Sequence, residues 1–521
     1  MRGLLASSVG VTCAAALALS LTSPAVAARP VSPAAVRPAS GAEAPGSTQS
    51  LPLAPLASRD VTLAPADEQG LPRRDVRHFS LAGVIWDDPD TELHGRVQIR
   101  TRAAGTDTWS GWQDLEAHND DTADPGAAER VSGRVHGATA PLWVGDSDGV
   151  EVRVRAEADR GAEDMARGSR TVTAAAPLPA GLRVELVDPG ESAPASTRQG
   201  AAAAGDPHRA VARVAPTPEP AEDPATMDTS APTAEPPEDD ATMDTSAPTA
   251  EPPEDDATMD TSAPTAEPPE DDATMDASAA NAGLAAPGAI EIPALDRQQT
   301  EQELFALRAG ELTERQRTKP YIGARPRIVT RRGWGADEGL REGRFVYTKK
   351  VKAAFVHHTA SGNGYRCTQV PSLIRGIYRY HVKSMGWRDI GYNFLVDKCG
   401  NIYEGRAGGV AKAVLGAHTL GFNTNSMGIA VVGSYGSKKP PAAATTAVAR
   451  LAAWKLGLYG GNPKGKTYLK SGGGNRYPKG KKVRLNVISG HRDGFATECP
   501  GRKLYRKLGS TRTTAARLQG R

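Results

Sequence analysis

The stretch "SGHRDGFATECPG" sets His491 eight residues before Cys499, and "KAAFVHHTA" carries the neighbours His357 and His358, in a chain of 521 residues with ten histidines and four cysteines. Two imidazoles and a thiolate are three good zinc ligands. A catalytic zinc site needs three protein ligands with a fourth position open to water. A structural site closes with a fourth Cys or His at short spacing, and none stands nearby in the sequence. Spacing alone weighs this reading evenly against structural histidines and a buried free thiol. Neighbours on a strand point to opposite faces, so only one of His357 and His358 can join such a cluster, and periodicity does not choose between them.

Rigid elements must bring these groups together. "KAAFVHHT" reads as a buried strand ending in the histidines, and "VRLNVISGH" as a second strand ending at His491. Between them, "VPSLIRGIYRYHVKS" places Ile374, Ile377, Tyr378 and His381 on one helical face, so His381 is read as a core histidine. "GYNFLVD", "NIYEGR" and "SMGIAVVGS" add strands, and "ATTAVARLAAWKLGLYG" adds an Ala-rich helix ended by glycines. The expectation is an α/β domain, a mixed sheet flanked by helices, over residues 325–510.

The rest of the chain sets the surroundings. Residues 1–27 have a basic start, an apolar run and an Ala25-Val26-Ala27 end, which predicts a cleaved export signal containing Cys13. No other stretch approaches eighteen apolar residues, so a soluble, secreted and wall-associated protein is expected. Of the remaining cysteines, Cys367 and Cys399 are 32 residues apart around one predicted helix and strand, which favours their pairing and leaves Cys499 free.

Residues 75–190 alternate apolar and polar in short runs, as a small β-sandwich of unknown role does. Trp86, Trp109, Trp112 and Trp143 lie among these runs, and core packing is favoured over a sugar-binding platform. Residues 191–300 read as a disordered linker: "TMDTSAPTAEPPEDDA" repeats every sixteen residues, and positions 216–276 hold 19 acids and no Lys or Arg. Residues 325–521 hold 37 Lys and Arg against 8 Asp and Glu, a surplus suited to anionic cell-wall polymers; nucleic acid is not expected outside a cell.

Six ordered motifs, "RRGWGADE", "VHHTA", "YHVKSMGWRDIGYNF", "IYEGRAGG", "GAHTLGFNTNSMGIAVVG" and "GHRDGFATECPG", span about residues 325 to 508. Together they resemble the peptidoglycan recognition proteins and the related zinc N-acetylmuramoyl-L-alanine amidases. The resemblance implies one Zn2+ held by His357, His491 and Cys499. It further implies a catalytic Tyr392, with Thr497 two residues before the cysteine, and a groove lined by His358, Arg406, His418 and Asn425. A disulfide near the first helix is also familiar in the family and supports the Cys367 to Cys399 pairing.

The implied activity is hydrolysis of the amide between N-acetylmuramic acid and L-Ala of the stem peptide, by a monomer acting on peptidoglycan. A non-catalytic muropeptide binder is the alternative, against which the intact His357, His491 and Cys499 set stands. A stem-peptide peptidase is disfavoured by the lack of an HExxH helix. "EGRAGGV" lacks the residue pair with which animal recognition proteins select the third stem residue, so that preference stays open.

Overall fold

The computed structural model describes residues 46–56, 68–117, 121–157, 176–190 and 276–521; the segment read as an export signal and most of the acidic repeat lie outside these residues. The first part is an all-β domain. Its strands are β1 (Ser47–Pro52), β2 (Ala54–Pro55), β3 (Glu68–Trp86), β4 (Gly95–Ala103), β5 (Gln113–Leu115), β6 (Gly137–Ala138), β7 (Leu142–Ala156) and β8 (Arg183–Asp188). One sheet runs β1-β8-β3-β7-β4-β5. β3 pairs with β7 from Glu68 to Ala82, across register shifts that bend the strand, and with β8 from Leu81 to Ile85, so the sheet curls around a single core.

This domain begins at Ser47, earlier than the expected residue 75, because β1 completes the sheet edge against β8. The tryptophans divide. Trp86 is fully buried, whereas Trp109 and Trp112 stack against arginines of three strands, Arg73 at 4.8 Å, Arg100 at 4.8 Å and Arg153 at 4.1 Å. Core packing therefore describes Trp86 but not that pair.

The second part is the α/β domain. Its strands are β9 (Glu291–Ile292), β10 (Ile328–Val329), β11 (Ala353–His358), β12 (Phe394–Val396), β13 (Ile402–Glu404), β14 (Ser426–Val431), β15 (Lys466–Lys470), β16 (Lys482–Asn486) and β17 (Ile488–Gly490). Seven of them form one mixed sheet in the order β17-β11-β14-β12-β13-β10-β9, and β15 and β16 make a separate hairpin. The longer helices are α1 (Arg297–Arg308), α2 (Val370–Arg379), α3 (Ala442–Gly457) and α4 (Leu508–Leu518). β11 and β14 are buried along their whole length, as strands covered on both faces must be.

Residues 276–300, expected in the linker, belong to this domain instead. Ile292 is fully buried and pairs with Ile328, and Asp296 caps α1. A two-residue strand with one core side chain leaves almost no periodic signal in an Ala- and Pro-rich stretch.

The two domains share a core. Leu81, Ile85, Val135 and Val187 of the β domain pack in one cluster with Ile374 and Ile377 of α2. Tyr380, at the end of α2, is fully buried and donates its hydroxyl hydrogen bond to Thr139 O at 3.2 Å.

Candidate functional site

Strand register builds the site. β11 and β17 run parallel with Val356 opposite Gly490, so the residue after each, His357 and His491, emerges at the same level. Their rings lie 4.6 Å apart, and both residues are fully buried. The chain then makes one helical turn, His491–Gly494, and returns to Cys499, whose carbonyl accepts from Arg492 N at 3.0 Å. That return brings Cys499 Sγ to 3.7 Å from His357 Nδ1. The pleat sends His358 the other way, to Glu116 Oε1 at 3.2 Å and the Tyr435 amide.

A fourth donor arrives from the β domain. Asp121 Oδ1 lies 3.0 Å from His357 Nδ1 and 2.8 Å from His491 Nδ1. One ligand atom from each of Asp121, His357, His491 and Cys499 lies within 4.8 Å of all the others, and all four residues are buried. Two imidazole nitrogens, a thiol and a carboxylate converging in a dry site fit a zinc ion in donor type and number.

Behind this cluster, His357 Nε2 meets His418 Nδ1 and Thr419 Oγ1, each at 3.3 Å. This is the outer contact that fixes the tautomer of a metal-binding histidine. His418 is clamped: a Cβ on Gly428 would come within 2.4 Å of its ring. Burial, and next His357, hold the His418 imidazole well below its usual pKa. His381, read as a core residue, accepts a hydrogen bond from Gly391 N at 3.2 Å, and burial lowers its pKa to about 3.

The other sequence candidates scatter around the cluster. Tyr392 is buried with its ring 5.6 Å from that of His357, and its hydroxyl donates to Asp121 Oδ2 at 2.8 Å. Thr497 Oγ1 accepts from Cys499 N at 3.2 Å and borders a cleft of about 370 Å³ between the domains, lined also by Glu116, Arg130, Leu420 and Phe495. Arg406 is buried in a two-pronged pair with Glu129, at 2.8 and 2.9 Å. Burial works against the Arg406 charge, yet Glu129 holds its pKa above the usual value. Cys367 and Cys399 form a disulfide at the start of α2.

Asn425 does not join the site. It precedes β14, whose first residue is level with Ala353, whereas His357 is level with Ala430 at the other end of the strand. There it adopts φ 59° and accepts from Lys350 N. Asn423 is the asparagine that reaches the cluster: its Oδ1 accepts from the His418 and Thr419 amides at 2.7 and 3.1 Å. Two asparagines in "GFNTNS" gave no periodic reason to prefer either. Asp121 left no sequence signal, because nothing in its neighbourhood tells which domain surface it will meet.

Comparison with known proteins follows this division. Residues 347–502 match the N-acetylmuramoyl-L-alanine amidase family model, and residues 33–178 match the model described as Rv3811 N-terminal galactose-binding domain-like. Peptidoglycan-recognition protein SC2 of Drosophila simulans is 31% identical over 188 residues, which is 35% of this chain and 84% of that protein. The chain belongs to the family of peptidoglycan recognition proteins and type 2 amidases. Peptidoglycan-recognition protein 1 of Holotrichia diomphalia is 30% identical over 187 residues, 35% of this chain and 79% of its own length.

Among solved structures, wild-type Drosophila PGRP-LB is 26% identical, covering 35% of this chain and 92% of that one at a TM-score of 0.28. PGRP-LE in complex with tracheal cytotoxin, a monomeric diaminopimelic acid-type peptidoglycan, is 31% identical, covering 35% of this chain and 92% of that one at 0.27. Within the recognition-protein domain, His357, His491, Cys499 and Tyr392 form one cluster. Among the described residues, no helix is long and apolar enough to cross a membrane.

Proposed function

We propose that this protein is an exported, zinc-dependent N-acetylmuramoyl-L-alanine amidase that acts on peptidoglycan as a monomer. What carries the reading is the convergence of His357 Nδ1, His491 Nδ1 and Cys499 Sγ beside the Tyr392 hydroxyl. The segment read as an export signal and the basic charge of residues 325–521 support a place in the anionic wall.

Bound there, zinc would lower the pKa of a water from 15.7 to about 7. His357 and His491 present their Nδ1 atoms, and His418 with Thr419 holds His357 Nε2, so the ring cannot turn away. The Tyr392 hydroxyl donates toward the carbonyl oxygen of the scissile amide as negative charge gathers there. Thr497 borders the entrance and is the second candidate donor. Hydrolysis adds OH to the lactyl carbonyl carbon and H to the L-Ala nitrogen as the C–N bond breaks. The products are a lactyl carboxylate and a free stem peptide. His358 and Arg406 are proposed to bind substrate.

The test is digestion of purified peptidoglycan by the metal-loaded chain and by its Asp121→Ala variant, in which the fourth position is opened, with products read by mass spectrometry. Intact stem peptides that vanish with a chelator and with Cys499→Ala are expected. Peptide fragments, or tight binding without products from either form, would overturn the amidase reading.

A further inference from the structure

The three donors used above already hold a fourth. Asp121 is 3% exposed, sets one carboxylate oxygen against the Nδ1 atoms of both histidines and gives the other to Tyr392. The metal ligands and tyrosine that the family resemblance implies leave this position for water and substrate. Here a residue of the β domain stands in it.

The contact is one of several from the same stretch. Glu116 meets His358, and Glu129 takes both prongs of Arg406 as well as the Arg388 amide at 3.1 Å. Asp124 sits in the loop that shapes His418, accepting from Gly421 N at 2.9 Å, Asn423 N at 3.2 Å and Asn423 Nδ2 at 2.7 Å. Asp124 is half-buried, and Thr122 O beside it takes a further bond from Asn423 Nδ2 at 2.9 Å. Four carboxylates thus reach the metal cluster and the groove positions around it. A stem peptide, itself rich in carboxylates, would address the same donors.

The segment is not loosely attached. On its C-terminal side Val135 and Ala138 enter the core shared with α2, and His136 N donates to Met385 O at 3.1 Å. Apolar docking of this kind is not weakened by salt, so ionic strength alone does not lift the segment out of the groove.

We propose that Asp121 is a fourth metal ligand supplied by the β domain of the same chain, and that the carboxylates of Glu116, Asp121, Asp124 and Glu129 fill the muropeptide groove as an internal acidic ligand. The intact chain is then a latent enzyme, closed until the segment is displaced or cut. This rests on the zinc amidase reading. A groove open only a small fraction of the time weakens the apparent affinity for muropeptide by that fraction, so 1% opening costs 100-fold.

Full-length protein loaded with Co2+ tests both halves. The visible ligand-field band of the wild type should stay unchanged when acetohydroxamate is added, because four protein donors leave no position for it. In Asp121→Ala the band should shift with the hydroxamate. Metal affinity should also fall by at least the 10- to 100-fold that loss of an outer-shell partner causes. In parallel, a fluorescent N-acetylmuramoyl tripeptide should bind the Asp121→Ala/Glu129→Gln chain about 10- to 100-fold more tightly than the wild type.

If wild type and Asp121→Ala take hydroxamate alike while Cys499→Ala alters the band, Asp121 is no ligand and the inference falls with the metal site intact. Equal tripeptide affinity removes the groove-filling half. Should Cys499→Ala leave the Co2+ spectrum of every form untouched, the zinc reading itself fails first.

Discussion

The Tyr392 hydroxyl donates a 2.8 Å hydrogen bond to Asp121 Oδ2 across 271 residues of sequence and a domain boundary. The hydroxyl proposed to serve a carbonyl oxygen is therefore engaged by a carboxylate of the same chain. Its value in catalysis is measurable only where Asp121 is removed. In an Asp121→Ala background, Tyr392→Phe should lower kcat by about 10²- to 10³-fold, as loss of one preorganised donor does, with KM little changed. Zinc content measured alongside should not move. A loss of less than tenfold would reassign the tyrosine to packing.

Metal should stabilise the fold, because the ligands come from β11, from the end of β17, from the loop after it and from another domain, and only folding gathers them. A ligand present at 100 times its Kd adds about 2.7 kcal/mol. Urea unfolding with and without Zn2+ should show an increment of that order in the wild type and little in Cys499→Ala. The cavity left by the substitution is common to both metal states and cancels. An undiminished increment in Cys499→Ala would place the metal elsewhere.

The three candidate donors stand out in the sequence because His357 and His491 end two strands and Cys499 follows in the next loop, and parallel register then sets the two histidines side by side. The same register explains what could not be read. Whether His357 or His358 turns inward depends on which face β11 shows to β17, a tertiary fact; in the absence of the family resemblance the two were equivalent. The β domain was recognisable as all-β from its alternation, yet its orientation on α2 rests on scattered residues such as Val135 and Val187, each ordinary in sequence. Asp121 is the extreme case: its position comes entirely from that docking.

Asn423 and Asn425 offer a direct comparison. Asn423→Ala would leave the His418 and Thr419 amides without their buried acceptor, at a cost of about 1–3 kcal/mol, and would loosen the ring that holds His357. Muropeptide affinity and metal affinity should both fall. Asn425 sits at positive φ, where asparagine is tolerated and glycine unstrained. Asn425→Gly should leave both affinities unchanged, and Asn425→Ala should cost about 1–2 kcal/mol of stability alone. Weakened muropeptide binding in Asn425→Gly would return that residue to the groove.

Glu404 gives the fold a pH dependence separate from the metal site. Its carboxylate accepts from Asn281 Nδ2 at 2.8 Å and Arg331 N at 3.2 Å, which ties the segment before β9 to β13. Burial nevertheless dominates and raises its pKa to about 7. In the unfolded chain the group loses its proton near pH 4.5, so between there and about pH 7 the folded state binds the extra proton. Stability from this group is thus complete below about pH 4.5 and lost as the pH rises through about 7. The shift corresponds to about 3 kcal/mol. Glu404→Gln cannot titrate, so urea unfolding should show the wild type losing about 2–3 kcal/mol relative to the variant from pH 5 to pH 8. A difference that stays constant over that range would mean that the Asn281 and Arg331 hydrogen bonds keep the carboxylate ionised throughout.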